Sequence, residues 1–101
     1  MIVYNVTIKV EADVAGAWLN WLLLEHIPDK INTDCFVTYK VLRLLEADDK
    51  EGPTYTIQYI AENIESYKKY ISDFALELRK KTFERWGDAL VAFRSVMEVV
   101  Q

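Results

Sequence analysis

The chain predicts an α+β fold of the ferredoxin-like class, with four antiparallel strands and two helices in the order βαββαβ. Three observations carry that expectation. Residues 2–10 alternate in side-chain character with period two, two segments place apolar residues at helical spacing, and the middle of the chain holds two β-rich runs parted by turn residues. One hairpin and two right-handed crossovers then give a split four-stranded sheet with both helices on one face. With 101 residues, the chain is read as one domain, residues 1–101, with a core of ordinary size.

In the first strand Ile2, Tyr4, Val6, Ile8 and Val10 fall on one side, and Val3, Asn5, Thr7 and Lys9 on the other. Asp13 is placed to cap a first helix, along which Val14, Trp18, Trp21, Leu22 and Glu25 follow at helical spacing. That helix is expected to stop near His26, because Pro28 disfavours helical geometry at Ile27. CFVTYKVLRLLE, residues 35–46, and TYTIQYIA, residues 54–61, form the hairpin around ADDKEGP. Asn63 caps a second, long helix carrying Ile64, Tyr67, Ile71, Phe74, Ala75, Leu78 and Thr82 and ending near Gly87. ALVAFRSVMEVV supplies the fourth strand. No internal repeat or low-complexity segment interrupts this order.

Two helices on one face leave the other face of the sheet bare. If the most apolar set of each strand meets the helices, Val3, Asn5, Thr7, Thr54, Thr56, Gln58, Ile60, Leu90, Ala92, Arg94, Val96 and Val100 lie on the bare side. Val3, Ile60, Leu90, Val96 and Val100 would then form an apolar patch that a second copy of the chain would cover about a twofold axis. The expectation is a homodimer, closing as a dimeric α+β barrel, with Asn5, Gln58 and Arg94 in or near its interior. These three either satisfy one another or bind a ligand, Arg94 through its bidentate fork.

Composition narrows the partners. Twelve Lys and Arg against sixteen Asp and Glu give a net charge of −4, which repels phosphate backbones, so nucleic acid is not expected. The amino terminus lacks the features of a signal peptide, and AWLNWLLL is far too short to span a membrane. With the lone Cys35, which cannot form an internal disulfide and is read as a small buried hydrophobe, this points to a cytoplasmic protein. No metal-ligand spacing or Gly-rich phosphate loop is present, and no cofactor is expected.

His26 is the one histidine of the chain, in EHIP. Near a helix C-terminus it can serve as a cation on the macrodipole or bond to a free carbonyl. At the mouth of a pocket it can serve as a general acid or base. Trp18 and Trp21, three residues apart on one side of the first helix, are read as core packing or as a stacking surface for a ligand. The charges Glu77, Arg79, Lys80, Lys81, Glu84 and Arg85 are read as a solvated helix face.

YNVT in the first strand, the W-x-x-W of the first helix, EHIP, the Q-Y of the third strand and the AFR of the fourth together resemble an uncharacterised bacterial family, a domain of unknown function (family 4286). The resemblance covers nearly the whole chain and implies no known activity. The helix-one histidine followed by proline is more distantly similar to the H-x-P of the dimeric α+β barrel superfamily, which includes small monooxygenases, isomerases and polyketide-modifying enzymes. That likeness implies a substrate pocket between sheet and helices with His26 at it, and a glycine in the turn where Asp34 stands. Two functions are carried forward. The first is a small-molecule-binding protein or cofactor-independent enzyme using His26, Arg94, Asn5 and Gln58; the second is a non-catalytic homodimeric interaction module. An open pocket of a few hundred cubic ångströms beside His26 or Arg94 favours the first, and a filled interior the second.

Overall fold

The computed structural model describes residues 1–101. Strand β1 (Ile2–Val10) leads through a 3-10 turn into helix α1 (Ala15–Trp21), a π turn (Leu22–His26) and helix α2 (Ile27–Ile31). Strands β2 (Thr38–Arg43) and β3 (Thr54–Ala61) form the hairpin, helices α3 (Ile64–Asp73) and α4 (Ala75–Trp86) follow, and β4 (Leu90–Glu98) ends the fold. The four strands are antiparallel in the order β2-β3-β1-β4, the split sheet expected of the ferredoxin-like class. No helix is long and apolar enough to cross a membrane.

The period-two reading of β1 holds at every residue. Ile2, Tyr4, Val6, Ile8 and Val10 are buried, and the residues between them are half-buried. Ile57, Tyr59 and Ala61 of β3 join them on the helix side, where Trp18, Leu22 and Ile27 complete the centre of the core. Tyr4, Phe36, Tyr59, Tyr67 and Tyr70 add an aromatic cluster, with Phe36 4.9 Å from Tyr70 and 5.3 Å from Tyr59 between ring centres.

The first helix departs from expectation at both ends. Asp13 lies in the 3-10 turn and caps nothing, because the helix enters from residues already in helical geometry. Pro28 does not stop the helix. The chain widens into a π turn closed by the Ile27 amide donating to the Leu22 carbonyl, five residues back, and Pro28 then occupies the first turn of α2, where its missing N–H is tolerated. An ideal α-helix drifts about 40° between residues four apart, since four steps of about 100° overshoot one turn. The wider turn removes much of that drift. Trp18, Leu22, His26 and Lys30, four residues apart, are therefore all buried, whereas Glu25, which belonged to the expected apolar stripe, is exposed.

The second helix is likewise two. Asn63 caps α3 as expected, its Oδ1 accepting from the Ser66 amide at 2.9 Å. The axis breaks at Phe74, whose φ of −128° is outside helical range, two residues after Ser72, whose hydroxyl bonds back to the Lys69 carbonyl at 3.2 Å. Tyr70, a residue outside the expected apolar set, is buried at helical spacing from Tyr67 and Phe74, and Ile64 and Ile71 of that set are partly exposed. Strand β2 is shorter than its β-rich run, with Cys35 and Phe36 buried in the preceding loop and Leu44 and Leu45 exposed after it. Asp34 holds φ 64°, the left-handed geometry for which glycine is the usual choice and Asp a tolerated one.

The face assigned to β4 from apolarity is reversed. Directly paired residues share a face, and β1 pairs Val6 with Arg94, Ile8 with Ala92 and Val10 with Leu90, so Leu90, Ala92, Arg94 and Val96 look toward the helices. The bare face instead carries Val91, Phe93, Ser95 and Met97 of β4, beside Val3, Asn5, Thr7 and Lys9. Both sides of β4 are similarly apolar, and the bare face is itself apolar, which is why hydrophobicity pointed the wrong way. Val91 and Phe93 are 67% and 66% exposed and stand with Met97 in water on a single chain.

Gly52 is the one glycine the sheet end demands. At φ 141° it brings its backbone so close to the end of β1 that a Cβ would lie 1.7 Å from the Val10 carbonyl oxygen. Gly52→Ala is expected to destabilise the fold by more than about 1 kcal/mol, read as a lower urea midpoint at unchanged slope.

Candidate functional site

The residues nominated by the sequence divide between the two faces of the sheet. Asn5 and Gln58 are cross-strand partners on the bare face, with Ser95 on the other side of Asn5. Asn5 Nδ2 donates to Thr7 Oγ1 at 3.2 Å, and Thr7 and Thr56 share a hydroxyl bond at 3.3 Å, so this polar row is partly satisfied within the chain. Arg94 is not with them. It lies across the sheet, on the helix face, with His26.

His26 and Arg94 line one cavity of about 40 Å³ between the first helix, the sheet and α3–α4. Lys30, Arg79, Tyr59, Tyr70 and Thr82 line it as well, and the remaining wall is aliphatic, from Val6, Ile8, Ile57 and Leu78 among others. Lys30 and His26 form the buried floor, at 5% and 9% exposure. Arg79 and Arg94 stand at the exposed mouth. Arg79 is held there by its Nη2 donating to Tyr4 Oη at 3.0 Å. No aspartate or glutamate lines the cavity, and the single ion pair of the chain, Arg43 with Asp49 at 2.7 Å, is far from it in the β2–β3 loop.

His26 is not a helix stop or a terminal cation. Its ring stacks on Trp21 at 4.7 Å and 20°, and Trp21 meets Trp86 of α4 edge-on at 5.8 Å. Burial, then the nearby charges of Lys30 and Arg94, lower its pKa from 6.5 to about 3, so it is neutral at physiological pH. On its far side lies an outer groove of about 310 Å³ between the first helix and α4, lined by Trp21, Leu24, Glu25, Pro28, Asp29 and Lys81. The imidazole is thus the wall between this groove and the inner cavity. Trp18, by contrast, is wholly buried against Tyr55 and is core.

The sequence reading missed two of these residues: Arg79, read as part of a solvated helix face, and Lys30. The Lys30 Nζ lies 4.3 Å from the Tyr59 ring centre and 5.5 and 5.7 Å from those of Tyr4 and Tyr70, with no carboxylate in ion-pairing reach. Burial, then Arg94 and Arg79, lower its pKa from 10.5 to about 7. The phenols of Tyr59 and Tyr70 are pushed up, chiefly by burial, and stay protonated. The spacing of Lys30 from His26 and Trp18 in multiples of four was the available signal, hidden by the expectation that Pro28 ended the helix. A base held near 3 accepts protons poorly at neutral pH, whereas an amine near 7 is matched to that work.

Residues 1–100 match the model of a domain of unknown function, DUF4286, and the chain belongs to that family. No curated protein matches it. Among solved structures it is similar to SnoaB, a cofactor-independent oxygenase from Streptomyces nogalater (TM-score 0.72, 10% identity, covering 99% of this chain and 93% of that one). It is also similar to a dimeric ferredoxin-like protein from an uncultured marine organism (0.69, 13%, 99% and 95%). A third is the heme-degrader MhuD from Mycobacterium tuberculosis, solved with two hemes in its active site (0.70, 17%, 100% and 97%). At these identities the likeness is one of fold.

The two buried bases make stability depend on pH in a defined sense. Between pH 3 and 6.5 the unfolded chain protonates His26 and the folded chain does not, so stability falls as pH drops through that window, and His26→Gln flattens the fall. Between about pH 7 and 10 the unfolded chain keeps a proton on Lys30 that the fold has released, so stability rises with pH. Lys30→Met is expected to remove that rise and to stabilise the protein at pH 7 by on the order of a few kcal/mol, measured by urea denaturation at stepped pH.

Proposed function

We propose that this member of the DUF4286 family is a homodimeric small-molecule-binding protein whose site is the cavity between the first helix and the sheet, with His26, Lys30, Arg79 and Arg94 as its polar groups. One observation carries the reading. Two ionisable side chains are buried at the floor of a cavity whose mouth opens beside β4, at a cost in stability that aromatic neighbours offset only in part and no carboxylate relieves. With an amine matched to neutral pH on its wall, the site also suits cofactor-independent proton transfer, Lys30 taking the proton and a guanidinium facing the charge that results. The inner cavity, at about 40 Å³, falls short of the few hundred cubic ångströms expected of a ligand pocket, and beside His26 only the outer groove of about 310 Å³ reaches that size. In this reading a small group of the ligand enters the cavity and its body stays outside the mouth. Asn5 and Gln58 belong to the dimer in this reading, and Trp21 positions the His26 ring.

Homodimerisation rests on the bare face. Val3, Ile60, Val91, Phe93 and Met97 cross β3, β1 and β4 as an apolar patch, with the polar row of Gln58, Asn5 and Ser95 through its middle to set the register of a second copy. The chain is expected to sediment as a dimer at micromolar concentration, and Phe93→Asp to shift it to monomer.

A second reading, a surface for another protein, draws on the outer helical side, where Leu24, Leu76 and Phe83 are 77%, 83% and 64% exposed. The two are separated by filling the cavity mouth with Ala92→Trp. Small molecules that co-purify with the dimer, released by denaturation and identified by mass spectrometry, are expected from the wild type and lost from Ala92→Trp. A dimer that carries none in either form supports the interaction surface instead.

A further inference from the structure

Resting on the reading of this cavity as the binding site, we infer that its ligand is a small organic acid, whose carboxylate sits between the Lys30 ammonium and the guanidinium of Arg94. Every ionisable group that faces Lys30 is a base or a phenol: His26 from its own helix, Arg79 from α4, Arg94 from β4, Tyr4 from β1, Tyr59 from β3 and Tyr70 from α3. None supplies a negative charge. The chain as a whole is acidic at −4, so this concentration of bases does not follow from composition.

Cations gathered around a partly buried space repel one another and lose solvation, and a bound anion relieves both costs at once. Three rings surround the Lys30 ammonium on the protein side and leave the cavity as the place for a counter-charge. The guanidinium fork at the mouth matches a planar carboxylate in two-point contact. The aliphatic wall of Val6, Ile8 and Ile57 disfavours the more strongly hydrated dianion of phosphate. Because the carboxylate calls for a charged Lys30, acid binding draws a proton onto that amine at and above neutral pH.

The test uses the dimeric full chain and three kinds of probe: acetate and benzoate, their neutral amides acetamide and benzamide, and inorganic phosphate. Binding is followed by backbone amide shifts in NMR, and the Lys30 Nζ protonation by the Cε signal of labelled lysine. The expected result is that at least one acid moves resonances of the cavity lining, that its amide binds at least tenfold more weakly, and that the Lys30 titration moves to higher pH in its presence. Affinity for the acid then falls between pH 7 and 9. Lys30→Met and Arg94→Gln each weaken the acid tenfold or more, the second at an exposed site whose change leaves the core intact. An amide that binds as well as its acid, or an acid indifferent to both substitutions, overturns the anion assignment while leaving the cavity as a site for neutral ligands. Phosphate binding tighter than either carboxylate overturns the choice of carboxylate. If no probe, charged or neutral, moves the cavity resonances, the binding-site reading falls with it.

Discussion

The π turn at Leu22–His26 is the constraint on which the rest of this structure depends. A proline two residues beyond a histidine ordinarily ends a helix, because the ring removes one amide and crowds the turn before it. Here the backbone absorbs Pro28 by one wide turn, closed from Ile27 to Leu22, and the helix runs on to Ile31. The same widening keeps residues four apart in line, so Trp18, Leu22, His26 and Lys30 enter the interior in succession. A straight α-helix would rotate Lys30 away from Trp18 by about three steps of 40° and return its amine to water. The chemistry of the cavity is thus a consequence of where one proline falls.

That arrangement sets stability against function. Lys30 and His26 occupy volume that aliphatic side chains would fill without loss, and the aromatic cluster around the amine offsets only part of the lost hydration. Because His26 is neutral and Lys30 only about half protonated near pH 7, the fold avoids burying two full charges and keeps proton acceptors of unequal strength side by side. His26, the weaker, is held by stacking on Trp21 and separates the inner cavity from the outer groove. Lys30, the stronger, faces the guanidinium groups. Environment, rather than residue type, decides which of them is suited to move a proton.

How much of this the sequence revealed follows from where a single period governed burial. Strand β1, buried on one side, could be read residue by residue, the Asn63 cap and the hairpin follow from signals that lie within a few residues of one another, and the strand order follows from the order of elements with right-handed crossovers. The cavity residues His26 and Arg94 were visible as unusual residue types, but their meeting was not. Arg94 was assigned to the wrong face because β4 is apolar on both sides, and only pairing with β1 fixes which side meets the helices. Lys30 was invisible for a related reason: a lysine beyond a proline reads as a surface residue unless the helix is known to continue. The break at Phe74 is hidden in the same non-local way, whereas Tyr70, at helical spacing from Tyr67 and Phe74, was legible as a core residue although the apolar set omitted it.

Strand β4 joins the two halves of the functional argument. Its outward side chains, Val91, Phe93 and Met97, belong to the apolar face that a second copy would cover, and its inward ones, Leu90, Ala92 and Arg94, line the cavity and its mouth. It is an edge strand, held by β1 on one side only, and every residue from Val91 to Glu98 is exposed in the single chain. An edge strand so lightly covered gains order chiefly from what packs on its outer face. Dimerisation through that face would therefore fix the position of Arg94 relative to Lys30, which sit on separate elements with no direct bond between them. In the proposed dimer, assembly and ligand binding would be linked through the backbone of one strand, and a change at Phe93, which does not line the cavity, would alter the geometry of the guanidinium that does.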